Sequence, residues 1–450
     1  MKRSAWRYLW KSEDIRKKLL ITVMLLVLYR LAANIPVPGI DRAVIASVVT
    51  SPGAAGTLFG LLDMLSGGTI SNFSILAMGV YPYITAQIII QLLTPIIPAL
   101  ERRMKENPRE GQKFMEKWTI ILTVPMALLS AIGQVNIFNS LAQQTGQTVL
   151  NFTYGFGAGS LLPTLTLLFS MMAGTMLGIW LGQLISEYGI PNQGLSLIIF
   201  AGIVSQIPSN FISLWSDRQN AWWLTILILV ILVLTIFAIV FVQQGRRHVP
   251  VLFPGRRMGN RMSMPVRSSL PLMVNMAGMI PLIFAQSLIL FPAIIASYFT
   301  ASKTAWVASL STGIYNTFSG NSPWYSVMYF LMVVLFTFFY TDVLFQQQNY
   351  GETLKRQGAQ IPGVLRGPAT QKYLTKVQRR ITMPGAFFLG FVAVLPYIMN
   401  IFLPASAQNA GLFLVSAAGL LIVVGVVRDT FTIIETELKL HGYEESLIKG

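Results

Sequence analysis

Residues 221–242 read AWWLTILILVILVLTIFAIVFV, twenty-two positions without a single charged side chain. A helix rising about 1.5 Å per residue needs about 20 apolar residues to cross about 30 Å of hydrocarbon, so this run is long enough to span a bilayer. Polar residues and a basic pair, Arg246 and Arg247, follow it at once. Nine comparable segments lie on either side: 19–35, 73–93, 118–137, 161–184 and 194–207 before it, and 271–299, 324–345, 381–402 and 411–427 after it. The bulk composition agrees. The 450 residues are 54% hydrophobic and 11% charged, and mean hydropathy is +0.60, whereas soluble domains carry roughly 25% charge. The predicted fold class is therefore an all-α membrane protein of ten transmembrane helices.

A net charge of +16 would suit a nucleic-acid protein if it were spread over the chain, but it is not. Seven Lys and Arg precede the first span, six lie between spans two and three, six between six and seven, and seven between eight and nine. The loops on the other side hold only Arg42, Arg218 and Lys303. This alternation is the positive-inside signature, and it orients an even number of spans with both termini cytoplasmic. Two basic loops, 243–270 and 346–378, are longer than topology requires, and loops above about 12 to 15 residues are often functional; they are read as docking surfaces. Residues 1–18 are basic and precede an apolar stretch. No small-residue cleavage site follows and many further spans do, so the segment is read as a retained cytoplasmic N-terminus rather than a signal peptide. The absence of cysteine excludes disulfides, thiol nucleophiles and cysteine metal sites.

Several motifs are more specific. They are NIPVPGID at 34–41, SGG at 66–68, AMGVYPYI at 77–84 with IIIQLL at 88–93, NQG at 192–194 with IIFAGIV at 198–204, and VNMAGMIP at 274–281. In this order they resemble the SecY family over roughly residues 19–445. The resemblance implies two five-helix halves, 19–210 and 211–434, related by a pseudo-two-fold axis in the membrane plane around a central pore, with a cytoplasmic tail at 435–450. Inverted halves of this kind are a known membrane architecture. It implies location in the bacterial cytoplasmic (inner) membrane. It also implies a channel that conducts unfolded preproteins and releases apolar segments sideways into lipid.

Site residues follow by the same resemblance. A pore ring maps to Val80, Ile84, Leu195, Ile199, Ile283 and Ile422, aliphatic side chains that exclude water from an empty constriction. Residues 57–68 are read as a plug, with Leu58, Leu61, Leu62 and Leu65 at helical spacing and Gly67 and Gly68 as a flexible hinge. Thr85, Gln87 and Asn275 are polar at membrane depth, and they map to a lateral gate between spans two and seven. Leu129 stands where the family carries a gate glutamine. Arg246, Arg247, Arg256, Arg257, Arg366 and Lys372 are the docking candidates, although PGVLRGP at 362–368 displaces the family's arginine by one residue. The implied partners are SecE and SecG in a heterotrimer, the ATPase SecA, the ribosome, preproteins with signal sequences, membrane lipid, and YidC and SecDF; no cofactor is implied.

Two other classes are weighed. An intramembrane enzyme needs paired acids, a Ser/His arrangement or an H-E-x-x-H motif; the only histidines are His248 and His441 and the six aspartates fall at or beyond span ends, so no catalytic residue and no metal site are assigned. An ion-coupled transporter places ionisable groups near the midplane, where this chain offers little beyond Arg30. The charge alternation generates a test. Single cysteines at Ser4, Gln112, Asn260, Gln371 and Ser446 should resist an impermeant thiol reagent added from outside, and those at Gln143, Arg218, Asn316 and Gln408 should react. Labelling at position 260 from outside would end the ten-span arrangement.

Overall fold

The computed structural model describes residues 13–40, 73–94, 97–98, 100, 102–103, 108–144, 160–216, 221–254, 257–258, 261–262, 266–299, 304–318, 322–402 and 417–440. These are mostly helical. In chain order the helices are α1 Glu13–Ala32, α2 Tyr81–Leu93, α3 Pro108–Gln144, α4 Leu161–Tyr188, α5 Gly194–Ser216 and α6 Ala221–Gln244. After a β region come α7 Ile280–Phe299, α8 Ala305–Phe318, α9 Pro323–Gln348, α10 Tyr350–Arg356, α11 Pro368–Phe402 and α12 Ala417–Leu440. Among the described residues, three helical stretches, Glu110–Val135, Leu161–Tyr188 and Pro323–Arg356, are long and apolar enough by length and composition to cross a membrane.

Local chemistry sets several boundaries. Ser322 caps α9 by accepting a hydrogen bond from Trp324 N at 3.3 Å, with Pro323 in the first turn where no amide is needed. Asn349 ends the helix in the left-handed region at φ 41°, a conformation that asparagine tolerates. Both α3, of 37 residues, and α11, of 35, measure more than about 50 Å. Their ends therefore stand clear of any bilayer they cross.

Packing divides the helices into two consecutive sets. In the first, α4 touches α1, α3 and α5, and α2 lies against α3. In the second, α9 packs along α11 and against α7, while α12 contacts α6 and α11. The sets meet where α7 lies against α2 and α3, and where α6 and α12 lie against α5. One apolar core runs through both, from Tyr29, Leu76 and Ile198 to Ile283, Val333 and Leu421.

Several boundaries differ from the sequence expectation. The predicted second span begins at 73, but helix α2 starts at Tyr81; residues 73–80 form turns, with Phe73 at φ 39° and Gly79 at φ 52°. The predicted seventh span begins at 271, yet 271–273 belong to a strand and the helix waits until Ile280. The all-α expectation also needs amending. The loop at 243–270 carries β1 Arg246–Phe253 paired antiparallel with β4 Val266–Met273, from Arg246↔Met273 to Phe253↔Val266, and a shorter pair, β2 Arg257–Met258 with β3 Arg261–Met262. Val249 and Val251 are buried and residues 246–248 and 250 exposed, so the strand has one face to bury. The loop after α7 holds helix α8, and α12 runs to Leu440, past the expected start of the tail at 435.

One feature of α4 fixes the first set. Gly174, Gly178 and Gly182 recur every fourth residue and form one stripe, the small-residue pattern that lets helices and backbone approach closely in membranes. A Cβ on Gly174 would lie 1.9 Å from the carbonyl oxygen of Ile75, and one on Gly182 2.8 Å from the Leu195 side chain. Gly174→Ala should therefore force the 73–80 segment off α4. The expected cost is that of overpacking, about 1 to 3 kcal/mol, read as a lowered thermal midpoint in detergent. Gly313→Ala is the control, since nothing lies within 4 Å of its added methyl and helix propensity favours alanine by about 1 kcal/mol. Equal midpoints for the two variants would remove the stripe from the account.

Candidate functional site

Four helices and the turn before α2 carry the six ring candidates. Val80 is the N-cap residue of α2 and Ile84 lies one turn on; Leu195 and Ile199 come from the start of α5, Ile283 from α7 and Ile422 from α12. All six belong to the same apolar core, with Val80, Ile199, Ile283 and Ile422 buried and Ile84 and Leu195 half-buried against it. Two of them rest on the glycine stripe. Gly178 faces Val80, Leu76 and Tyr29, and Gly182 faces Leu195. The sequence reading did not weigh this stripe, although G-x-x-x-G-x-x-x-G at 174–182 is legible there.

The plug candidates Leu58, Leu61, Leu62, Leu65, Gly67 and Gly68 lie outside the described residues. What precedes and follows that segment is held together. Val37 N donates to Phe73 O at 3.2 Å and Ile75 N to Ile35 O at 3.0 Å, around an antiparallel bridge between Pro36 and Ser74. The first of the motifs is thus clasped to the start of the predicted second span.

At the seam between α2 and α7, a small apolar cluster interlocks Ile84 and Ile88 with Ala277, Ile280 and Phe284, backed by Phe336 and Tyr340 of α9. The predicted gate polar groups bond locally rather than to one another. Thr85 Oγ1 donates to Tyr81 O at 3.0 Å, and Asn275 Nδ2 donates to Gly278 O at 3.1 Å. Asn275 is 3% exposed, and its Oδ1 has no hydrogen-bond partner among the described residues; Gln87 is half-buried. A polar link that sequence reasoning missed does cross the seam, between the Gln91 side chain of α2 and Tyr340. Leu129 is 63% exposed, so its side chain points out of the protein. Among the described residues, the buried polar side chains of α3 are Thr119, Thr123 and Gln134.

On the charged side of the molecule the two long loops form one body. Val249, Val251 and Leu272 of the hairpin pack with Phe345, Leu354, Ile361, Leu374 and Ile381, and Leu252 and Gln360 exchange two backbone hydrogen bonds of 2.8 Å. Arg246, Arg247, Arg366 and Lys372 are exposed on this body. Arg256 lies outside the described residues, and of Arg257 only the backbone is described. Gly363 and Gly367 both adopt left-handed φ, 78° and 89°, on either side of the exposed Arg366 and of Leu365, which is 81% exposed. Among the described residues no group of His, Asp or Glu is arranged to hold a metal.

Comparison with known proteins gives one consistent answer. The SecY family model matches residues 74–431. A protein translocase subunit SecY from Streptomyces scabiei is 35% identical over 452 residues, covering 98% of this chain and 99% of the relative. A solved SecY structure, described through the plug domain that stabilises the closed state of the translocation channel, superposes with a TM-score of 0.60 at 18% identity, covering 99% of this chain and all of that one. Sec61 from the canine ribosome–channel complex gives 0.53 at 16% identity, covering 96% and 98%.

The shared core of the two loops is open to test. Leu374 is fully buried, and truncating such a side chain costs about 2 to 5 kcal/mol. Leu374→Ala should accelerate limited proteolysis within 350–367 several-fold, while Leu365→Ala, on the exposed tip, should leave the rate near that of the parent. Equal rates for all three would mean the loops do not fold as one body.

Proposed function

The chain belongs to the SecY family of protein translocase channel subunits, and we propose from that premise that it is the central pore of a bacterial inner-membrane translocase. It conducts unfolded preproteins and releases apolar segments sideways between α2 and α7. Ten of its helices form two five-helix halves around the pore. The family is a channel family rather than an enzymatic one, which agrees with the lack of any catalytic constellation in the sequence.

The observation that carries this reading is that Val80, Ile84, Leu195, Ile199, Ile283 and Ile422, aliphatic side chains drawn from both helix sets, all belong to the one apolar core that runs through the two sets. A constriction lined this way sheds water when empty and so blocks ions without a charge barrier. It also yields to a passing chain without binding it, because no directional bond has to break. The plug at 57–68 completes the seal from outside, and the clasp at 35–37 and 73–75 tethers both of its flanks.

The exposed Arg246, Arg247, Arg366 and Lys372, with Arg256 and Arg257, form the docking face for SecA and the ribosome. Charges of this kind steer association and make it salt-dependent. SecE and SecG complete the heterotrimer, and YidC and SecDF are further companions. Ile84→Asn with Ile283→Asn should hydrate the ring and raise the ion conductance of the idle channel in a planar bilayer. Conductance equal to that of the parent would remove these residues from the seal.

A further inference from the structure

A cleft of about 840 Å³ opens where α9 ends and the first turns of α11 begin, and its walls include Lys355, Lys372, Lys376, Arg379 and Arg380. Among the described residues, Arg379 is committed to Asp342 through hydrogen bonds of 2.6 to 3.1 Å, and Glu352 to Arg356 at 2.9 Å. Lys355, Lys372, Lys376 and Arg380 have no acidic partner there. The cleft is therefore cationic.

What lies below it decides the occupant. Lys372, Lys376 and Arg380 follow one another at intervals of four on α11, and the same face continues as Met383, Phe387 and Phe391, all exposed. On α9 the exposed Leu331, Leu335 and Phe339 lead up to Asp342 and Gln346. The Arg379–Asp342 pair and the Phe330–Phe387 ring contact, 6.1 Å between centroids, tie the two helices along this groove. The exposed side chains along the two helices thus change from apolar to cationic at the point where the predicted spans 324–345 and 381–402 end and the cleft begins.

We propose that this groove binds a phospholipid with an anionic phosphate headgroup, its acyl chains against Phe339, Met383 and Phe387 and its phosphate on Lys376 and Arg380. The inference rests on the membrane placement proposed above. The interfacial zone is about 5 to 8 Å deep on each side. Lys376 and Arg380 are separated by a rise of about 6 Å and sit within it. Basic pockets between membrane helices on the cytoplasmic side recognise such headgroups. An RNA or an acidic peptide would use the cations but leave the apolar continuation without a role.

The chain has no native cysteine, so Met383→Cys carries a single bimane label, which brominated acyl chains quench on contact. In vesicles of phosphatidylcholine with graded brominated phosphatidylglycerol or brominated phosphatidylcholine, quenching should favour the phosphatidylglycerol. Each cation near the headgroup adds about five-fold. Adding Lys376→Gln and Arg380→Gln should bring the ratio of binding constants to about one. Quenching by both lipids with no preference in the parent overturns the proposal while leaving the membrane placement intact; no quenching by either lipid removes the placement itself. A preference abolished by millimolar inorganic phosphate would assign the cations to a soluble anion, and one that survives the double substitution would place the headgroup elsewhere; either result overturns the assignment.

Discussion

Irregular backbone cannot face lipid, because each unpaired amide or carbonyl there costs several kcal/mol, and the segment at 73–80 meets that constraint with the whole first helix set. Val37 and Ile35 pair with Phe73 and Ile75, and Ala77 N and Gly79 N close turns onto Ser74 O and Leu76 O at 2.8 and 2.7 Å. Phe73, Ser74, Leu76, Ala77 and Met78 are all buried. The missing side chain at Gly174 is what lets the Ile75 carbonyl lie against α4. Val80 follows directly, so the placement of this ring candidate inherits the geometry of the turn.

The same local device starts α7. Gly79 at φ 52° and Gly278 at φ 64° each stand three residues before a proline, Pro82 and Pro281, which is favoured at a helix start. Before α7 the backbone is again buried against small residues. Val274 N donates to Gly245 O at 2.9 Å, and a Cβ on Gly385 would lie 2.9 Å from Val274 O. Gln378 adds a hydrogen bond from Nε2 to Met273 O at 3.1 Å. Strand β4 therefore runs into the start of α7 with its end pinned to α6 and α11, and the hairpin it belongs to is packed with the other long loop. Displacement of that body is transmitted to α7 through covalent chain and buried hydrogen bonds.

Which parts of this were legible in the sequence follows from what hydropathy encodes. An apolar run such as 221–242 and the alternating basic loops are one-dimensional signals, and each predicted span contains or overlaps a helix. Residues 73–80 and 271–273 are as apolar as any helix, so burial alone could not separate turn or strand from helix there. The common core of the two loops was hidden because Val249, Leu272, Leu354 and Leu374 are scattered over some 125 positions and none stands out alone. Of the candidate site, the six ring residues came from motif resemblance. The glycine stripe behind them needed only its spacing of four. Leu129, matched by resemblance to the family's gate glutamine, is 63% exposed, a placement that hydropathy does not report.

The ring is unequally supported, and this bears on how a channel built this way opens. Val80 lies beside Gly178, and Leu195 sits on Gly182 of α4 so closely that a Cβ there would be 2.8 Å from its side chain, which leaves little room for a shift because packed interiors resist compression. Ile283 rides on α7, which meets the first set along α2 and α3 through apolar contacts such as Ile84 and Ile88 with Ala277 and Phe284. Apolar contacts of that kind have no directional bond to break, and lipid or a passing apolar segment replaces them at little cost. On the proposed reading, the wall of Val80 and Leu195 stays put while Ile283 moves. The seal then opens on the side of α7, the same side on which the seam meets lipid, so one motion serves both passage across the membrane and release into it.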